Sequence, residues 1–172
     1  MRRAWGALFL PLGLAGCPES APCVSEVPTP MTPARARALV PGLETGLAVS
    51  TALDLGPCTD ALADTCVDGQ RVCGPRRWAM RVAVFDASSS LPLDTSCPTG
   101  LSAQLIEDAR DFVVASEISS QQGEWAAALP AGSYLLGFGL PSEPCLECPG
   151  GAAGDCVVDV SSEQVTTLAL VL

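Results

Sequence analysis

The chain predicts a mainly β fold: a single antiparallel β-sandwich, cross-linked by disulfides and reached through a signal peptide and a proline-rich tether. Three observations carry that expectation. The run Leu47, Val49, Thr51, Leu53 and Leu55 alternates with Ala48, Ser50, Ala52 and Asp54, the period of two that a half-buried strand needs. Eight cysteines remain once Cys17, just after the leader, is set aside, and an even set in an exported chain reads as a disulfide framework. Turn residues such as Ser88-Ser89-Ser90 and Pro130-Ala131-Gly132 punctuate the apolar runs at strand-length intervals.

The first residues have the three zones of an export signal: Arg2 and Arg3, an apolar run from Ala4 to Leu14, and small residues before a break. A spanning helix needs about 20 apolar residues. The run from Ala4 to Gly16 has 13 and contains Pro11, so it does not span a bilayer. The four residues Leu14-Ala15-Gly16-Cys17 resemble the lipobox of bacterial lipoproteins. That resemblance implies a diacylglycerol on the Cys17 thiol, cleavage before it, and acylation of the new amino group. Two or more chains, at about 0.8 kcal/mol per buried methylene, give lasting anchorage without a spanning helix. An ordinary signal peptide with an incidental cysteine and an uncleaved anchor are the competing readings. Charge, length and motif together favour the lipobox, and with it a lipid-anchored place in the cell envelope, at the outer membrane in preference to the inner, facing periplasm or surface.

Cleavage at that point leaves 156 of the 172 residues. Removing Arg2 and Arg3 from nine cations leaves seven against nineteen acids, a net charge of −12. Nucleic acid is therefore excluded as a partner, since phosphate binding needs a basic surface. There is no His, Lys or Asn. Imidazole bases, histidine metal ligands, Schiff-base lysines and lysine-activated serines are consequently absent from its chemistry.

Residues 17–42 read as the tether. Pro18, Pro22, Pro28, Pro30, Pro33 and Pro41 fall among Ser, Thr, Glu and Ala, which favours extended polyproline geometry, with room for a helical turn at Ala34 to Leu39. At about 3.1 Å per residue it would reach almost 80 Å. A bond from Cys23 to the body would shorten this to about 20 Å. Residues 43–77 follow, as a strand with one buried face and a cysteine-rich connection packed on the body. In that connection Asp60, Asp64 and Asp68 recur every four residues. Hard oxygen ligands suit calcium, but the EF-hand spacing is missing and Asp68-Gly69 reads as a turn, so a solvated acidic loop is expected and no metal is assigned.

The sandwich is expected over residues 78–172. Trp78 to Asp86 forms a strand with Val82 and Val84 on one face and Ala83 and Phe85 on the other. Leu101 to Ile118 fits a helical stripe at Leu101, Leu105, Ala109 and Val113. It also fits a hairpin with strands at 103–106 and 112–115 around an Asp108–Asp111 turn, and strand neighbours on both sides favour the hairpin. Gly123-Glu124-Trp125 begins a strand that reaches the Pro-Ala-Gly turn, with the only tyrosine, Tyr134, just beyond.

That run resembles the carboxypeptidase regulatory-like and Cna protein B-type families, whose repeats carry a Gly, an aromatic strand, a Leu-Pro-x-Gly turn and a Tyr. The resemblance covers Trp78 to Leu172 and implies a seven-stranded immunoglobulin-like or prealbumin-like sandwich. Val82 to Asp86 would open it, and Val157 to Val160 with Val165 to Leu172 would close it. It further implies a tyrosine hydroxyl pinned to backbone at a corner. It transfers no catalytic residue, and the lysine and asparagine of a Cna-type isopeptide bond are absent.

The eight cysteines are Cys23, Cys58, Cys66, Cys73, Cys97, Cys145, Cys148 and Cys156. They allow 105 full pairings. Local closures within Cys58–Cys73 and within Cys145–Cys156 are preferred. Cys145-Leu146-Glu147-Cys148 also has redox or zinc spacing. Flanking Pro144, Pro149, Gly150 and Gly151 do not build the helix N-terminus that redox work needs, and zinc thiolates must stay reduced.

Function follows by elimination. A non-catalytic, lipid-anchored envelope module that binds a protein partner is the leading expectation, without a cofactor. The partner surface would be the loop end at 86–100 and 141–155. A glycan-binding sandwich is the alternative, with Trp125 and Trp78 as stacking surfaces, and a hydrolase using paired carboxylates is the third reading.

Overall fold

Four successive residues, Val82, Ala83, Val84 and Phe85, are apolar, so a strand that contains them must bury both faces. The computed structural model describes residues 23–24, 28–56, 66–67, 70–87, 91–151 and 153–172, and places that strand inside a mainly β, two-sheet sandwich. The strands are β1 (Cys23–Val24), β2 (Gly46–Asp54), β3 (Cys66–Val67), β4 (Gln70–Val72), β5 (Pro75–Arg77), β6 (Arg81–Asp86), β7 (Val113–Ile118), β8 (Glu124–Ala128), β9 (Gly132–Gly139), β10 (Val157–Val160) and β11 (Val165–Val171). Two short helices, α1 (Pro33–Leu39) and α2 (Ala103–Asp108), lie among them.

One sheet runs β10-β9-β6-β7, with every neighbouring pair antiparallel. The other is built on β2, with β11 on one side and β8 and β5 beside its two halves on the other. Between the sheets lies one core of Leu47, Val49, Val82, Val84, Trp125, Tyr134, Leu136, Phe138 and their neighbours. A third, small sheet pairs β1 parallel to β4, with β3 antiparallel to β4.

Both sheets are also covered outside. Ala83 and Phe85, of opposite parity to Val82 and Val84, pack under Leu101, Leu105, Ala109, Leu146, Cys148 and Cys156. Ala48, of opposite parity to Leu47 and Val49, packs under Met31, Ala36 and Leu43. The single buried face expected for β2 is thus two buried faces. Part of the expected tether supplies the cover: Thr32 caps α1 by accepting from the Arg35 amide (3.2 Å) and Pro33 takes the first turn, where its missing N–H costs nothing. Prolines that read as extended chain are in part helix-start signals.

The favoured hairpin over 101–118 is only half present, because its first arm is α2. Ser102 Oγ accepts the Leu105 amide at 3.0 Å as an N-cap, and Leu105 and Ala109 then fall on the side facing Phe85. The helical period brings Leu105 and Ala109 onto one face, and both are buried there against the Phe85 cluster. The second arm, β7, is a strand as expected.

Topology brings two further corrections. The residue 78 boundary does not open the sandwich, since β2 lies at the centre of one sheet, ahead of β6 in the chain. Nor do the last two strands pair with each other: β10 lies on β9, and β11 crosses to run parallel to β2, Val165 beside Gly46 through Val171 beside Ala52. That parallel pair departs from the all-antiparallel expectation. It lets Leu170 enter the inter-sheet core while Val158 and Val160 do so from the other sheet.

The corner implied by the turn motif is present. Tyr134 is buried and its hydroxyl donates to the Pro130 carbonyl at 2.8 Å. Burial, then the Asp86 charge, raise its pKa above the ordinary phenol value. Two disulfides are described, Cys97–Cys145 and Cys148–Cys156, and Cys73 is also disulfide-bonded. The expected closure within 145–156 is therefore Cys148–Cys156, whereas Cys145 reaches 48 residues back. Cys17, Cys58, Asp60, Asp64 and Asp68 lie outside the described residues, as do the side chains of Cys23 and Cys66.

Candidate functional site

Near the middle of β2 the chain buries two hydroxyls, Ser50 and Thr51. Thr51 makes a polar knot. Its amide donates to the Gly123 carbonyl (2.7 Å), its hydroxyl to the Trp78 carbonyl (2.6 Å), and its own carbonyl accepts the Trp78 amide (3.1 Å). The Ser119 hydroxyl lies 3.0 Å from Thr51 Oγ1 and accepts the Met80 amide at 2.9 Å. With the threonine proton on Trp78, the serine proton must fill the gap between the two oxygens, so each hydroxyl donates once. The knot ties β2, the segment entering β6, and the turn between β7 and β8 at one point.

Its outcome is a rigid backbone at Trp78 with an exposed side chain. Trp78 is 46% exposed, and with Arg77, Ala79, Gln121 and Pro141 it lines an open groove of about 370 Å³. The Pro141 carbonyl accepts a hydrogen bond from Arg81 Nη2 at 3.1 Å. Trp125, the other expected stacking surface, is 4% exposed and belongs to the inter-sheet core. Packing removes both of its faces from solvent, so it offers no platform. Its Nε1, like Ser50 Oγ, is buried with no hydrogen-bond partner among the described residues.

Glu124 gathers two cations, one of which, Arg77, also lines the groove. Arg35 of α1 bonds it through Nη2 (2.7 Å) and Nε (3.2 Å), and Arg77 Nη1 stands 3.4 Å away. The Arg35 hydrogen bond holds the Glu124 carboxyl below the ordinary carboxylate range, with burial opposing and the Arg35 and Arg77 charges assisting. Because the folded-state pKa is depressed, this contribution is complete above the unfolded glutamate pKa, about 4.3, and disappears as pH falls through the lower folded value. Protection of the α1 amides against hydrogen exchange, corrected for intrinsic rate, should therefore hold from pH 7 to 5 and fall in more acid solution. Glu124→Gln should show the weakened state already at pH 7. Identical α1 protection in variant and parent across that range would remove the clamp.

The second surface is the loop layer over the outer face of the β6 sheet. Residues 91–102 and 141–148 are joined by Cys97–Cys145 and by a ladder of bonds: Leu146 N to Leu101 O (3.0 Å), Ala103 N to Pro144 O (2.7 Å), and the Thr99 hydroxyl to Leu146 O. Glu147 exchanges both backbone bonds with Phe138, so the loop is bound to β9 as well. Asp94 accepts from the Ser96 hydroxyl (2.6 Å) and amide (2.9 Å), which holds its carboxyl below the ordinary range, with help from Ser102. Leu146 is fully buried beneath, while Leu93 stands 55% exposed on top. Cys145 and Cys148 bond to different partners, so the C-x-x-C is two halves of two structural bridges.

The two loops expected to share one end of the sandwich leave the sheet from opposite ends, because β6 and β9 are antiparallel with Asp86 beside Tyr134 and Arg81 beside Gly139; they meet instead over the outer face of that sheet, through Leu101, Leu146 and Cys97–Cys145. The Thr51–Ser119 knot and the Glu124 clamp escape the sequence, because nothing local marks which buried hydroxyl or which carboxylate will meet a distant partner. Compared with family models, curated proteins and solved structures, the chain matches none.

Proposed function

We propose that this chain is a non-catalytic lipoprotein of the bacterial cell envelope, anchored through Cys17, whose sandwich serves as a structural or protein-interaction module. The finer family reading, a carboxypeptidase regulatory-like or Cna protein B-type domain, belongs to the same proposal and rests on the Pro130 turn and its tyrosine. Disulfides point to an extracytoplasmic compartment, since cytosolic thiols are kept reduced. The lipobox supplies the anchor. Its cysteine precedes β1 by six residues, so the body would stand no more than about 20 Å from the lipid, far closer than a free tether allows.

The observation that carries the interaction reading is the pair of loops stapled together over the outer face of the β6 sheet. Loops on a rigid scaffold are where partners bind, and a platform fixed by a disulfide and backbone ladder loses little entropy on binding. Deleting 146–154 would take away buried Leu146 and Cys148 and would test the fold instead of the surface. Exposed Leu93 and Glu143 are the cleaner targets. In cells that process lipoproteins, Cys17→Ala should abolish fatty-acid labelling and membrane association. Leu93→Arg and Glu143→Arg should lower recovery of the cross-linked partner roughly tenfold while leaving thermal unfolding unchanged. Labelling that survives Cys17→Ala overturns the anchor, and unchanged recovery overturns the platform.

A further inference from the structure

We propose that the groove beside Trp78 is a binding site for a neutral saccharide. The inference does not depend on the lipid or on the loop platform.

A tryptophan left nearly half exposed on a backbone this well fixed is unexplained by folding. Its main chain is already held on both sides by Thr51, through the amide at 3.1 Å and the carbonyl at 2.6 Å, so the indole is not needed to secure the turn. Trp125, two residues beyond Gly123 of the same turn, shows what the fold does with a tryptophan it needs, which is to bury it. Holding a large apolar ring in water on a rigid support is instead the arrangement that preorganises a stacking partner.

The groove's lining says which partner. Its volume of about 370 Å³ lies at the lower end of small-ligand sites and would take one or two pyranose rings. A pyranose has a face of C–H groups and a rim of hydroxyls. Trp78, Ala79 and Pro141 offer apolar surface to the face, and the Gln121 amide and Arg77 guanidinium offer donors, with the amide oxygen as an acceptor, to the rim.

Charge selects among saccharides. The part of the chain after the leader carries −12, although Arg77, which shares the single Glu124 charge with Arg35, and Arg81, bonded to the Pro141 carbonyl, stand locally at the groove. The net charge repels polyanionic chains at long range. A neutral ligand escapes that penalty.

The test is a tryptophan-fluorescence titration of the folded chain with chitotetraose, cellotetraose and polygalacturonate. Chitotetraose and cellotetraose separate an N-acetylated cell-wall type of sugar from a plain hexose. At least one neutral oligosaccharide should give a saturable change, lost in Trp78→Ala and weakened roughly tenfold in Gln121→Ala. Trp78→Ala removes an exposed side chain, and buried Trp125 remains to report that the variant is folded. No response to either neutral oligosaccharide overturns the proposal, as does an equal response in Trp78→Ala or a response to polygalacturonate alone.

Discussion

Replacing Cys97 and Cys145 together by alanine should destabilise the oxidised domain by about 4 kcal/mol, lowering its unfolding temperature by roughly 10 °C. The size follows from the loop that the bridge closes. The two residues lie 48 apart in sequence and 5.4 Å apart between Cα atoms, so the unfolded chain loses much freedom when they are joined. Cys148–Cys156 closes only eight residues and should contribute less, about 2.5 kcal/mol by the same chain-entropy relation. Matched thermal unfolding of the two double-alanine variants measures both. The order is the informative part: Cys148 and Cys156 are both buried in the apolar layer over the outer face of the β6 sheet, whereas Cys145 is only half-buried, so packing alone would not put the long bridge first. A Cys148–Cys156 removal that costs as much as the long bridge would mean local packing, and not chain restriction, governs this layer. The platform should loosen rather than dissolve in the long-bridge variant, because Thr99, Leu101 and Ala103 still bond the 144–146 backbone.

That bridge also marks where the sequence stopped being legible. Features set within a few residues were readable: the β6 run, the turn from Pro130 to Gly132, and the hydroxyl of Tyr134 reaching back four residues to Pro130. Local signals were sometimes present but outweighed. Ser102 and Thr32 are ordinary N-cap residues, yet strand neighbours argue against α2, while α1 falls where the proline-rich segment leaves room for a helical turn at Ala34 to Leu39. What no local pattern contains is the partner of a surface. Ala48 and Ala52 are small and looked neutral on β2; only the return of α1 from upstream makes the face of Ala48 a core. The parallel match of β2 with β11 joins segments more than a hundred residues apart, and any edge with the right parity would have satisfied the sequence of either. The candidate groove is the same case. Trp78 was visible as an aromatic, but its exposure, and the burial of Trp125, depend on which strand each residue meets.

Gly123→Ala should be the most damaging single substitution at the knot, costing about 3 to 5 kcal/mol. Two effects coincide there. Its φ of +66° is a conformation L residues avoid, and a Cβ would meet the Thr51 carbonyl oxygen at 2.2 Å and the Trp78 amide nitrogen at 3.1 Å. The obstruction is backbone on both sides, so no side chain can swing away. Other glycines separate the two contributions. Gly56 has φ +79° with nothing among the described residues within 4 Å of its Cβ, so Gly56→Ala should cost only the backbone term, roughly 1 kcal/mol. At Gly46 the crowding comes without the positive φ, from the Ala127 carbonyl oxygen at 2.2 Å and Leu43 Cδ1 at 2.8 Å. Denaturant unfolding of the three variants should therefore rank Gly123→Ala above Gly46→Ala, and both well above Gly56→Ala. Relief of the Gly123 clash requires Thr51 to withdraw its carbonyl, which is the acceptor for Trp78 N–H. Whatever fraction of Gly123→Ala remains folded should then show altered Trp78 emission, a change that Gly46→Ala, at the far end of β2, should not produce. Equal costs at Gly123 and Gly56, with Trp78 emission undisturbed, would show that the knot does not hold the groove in place.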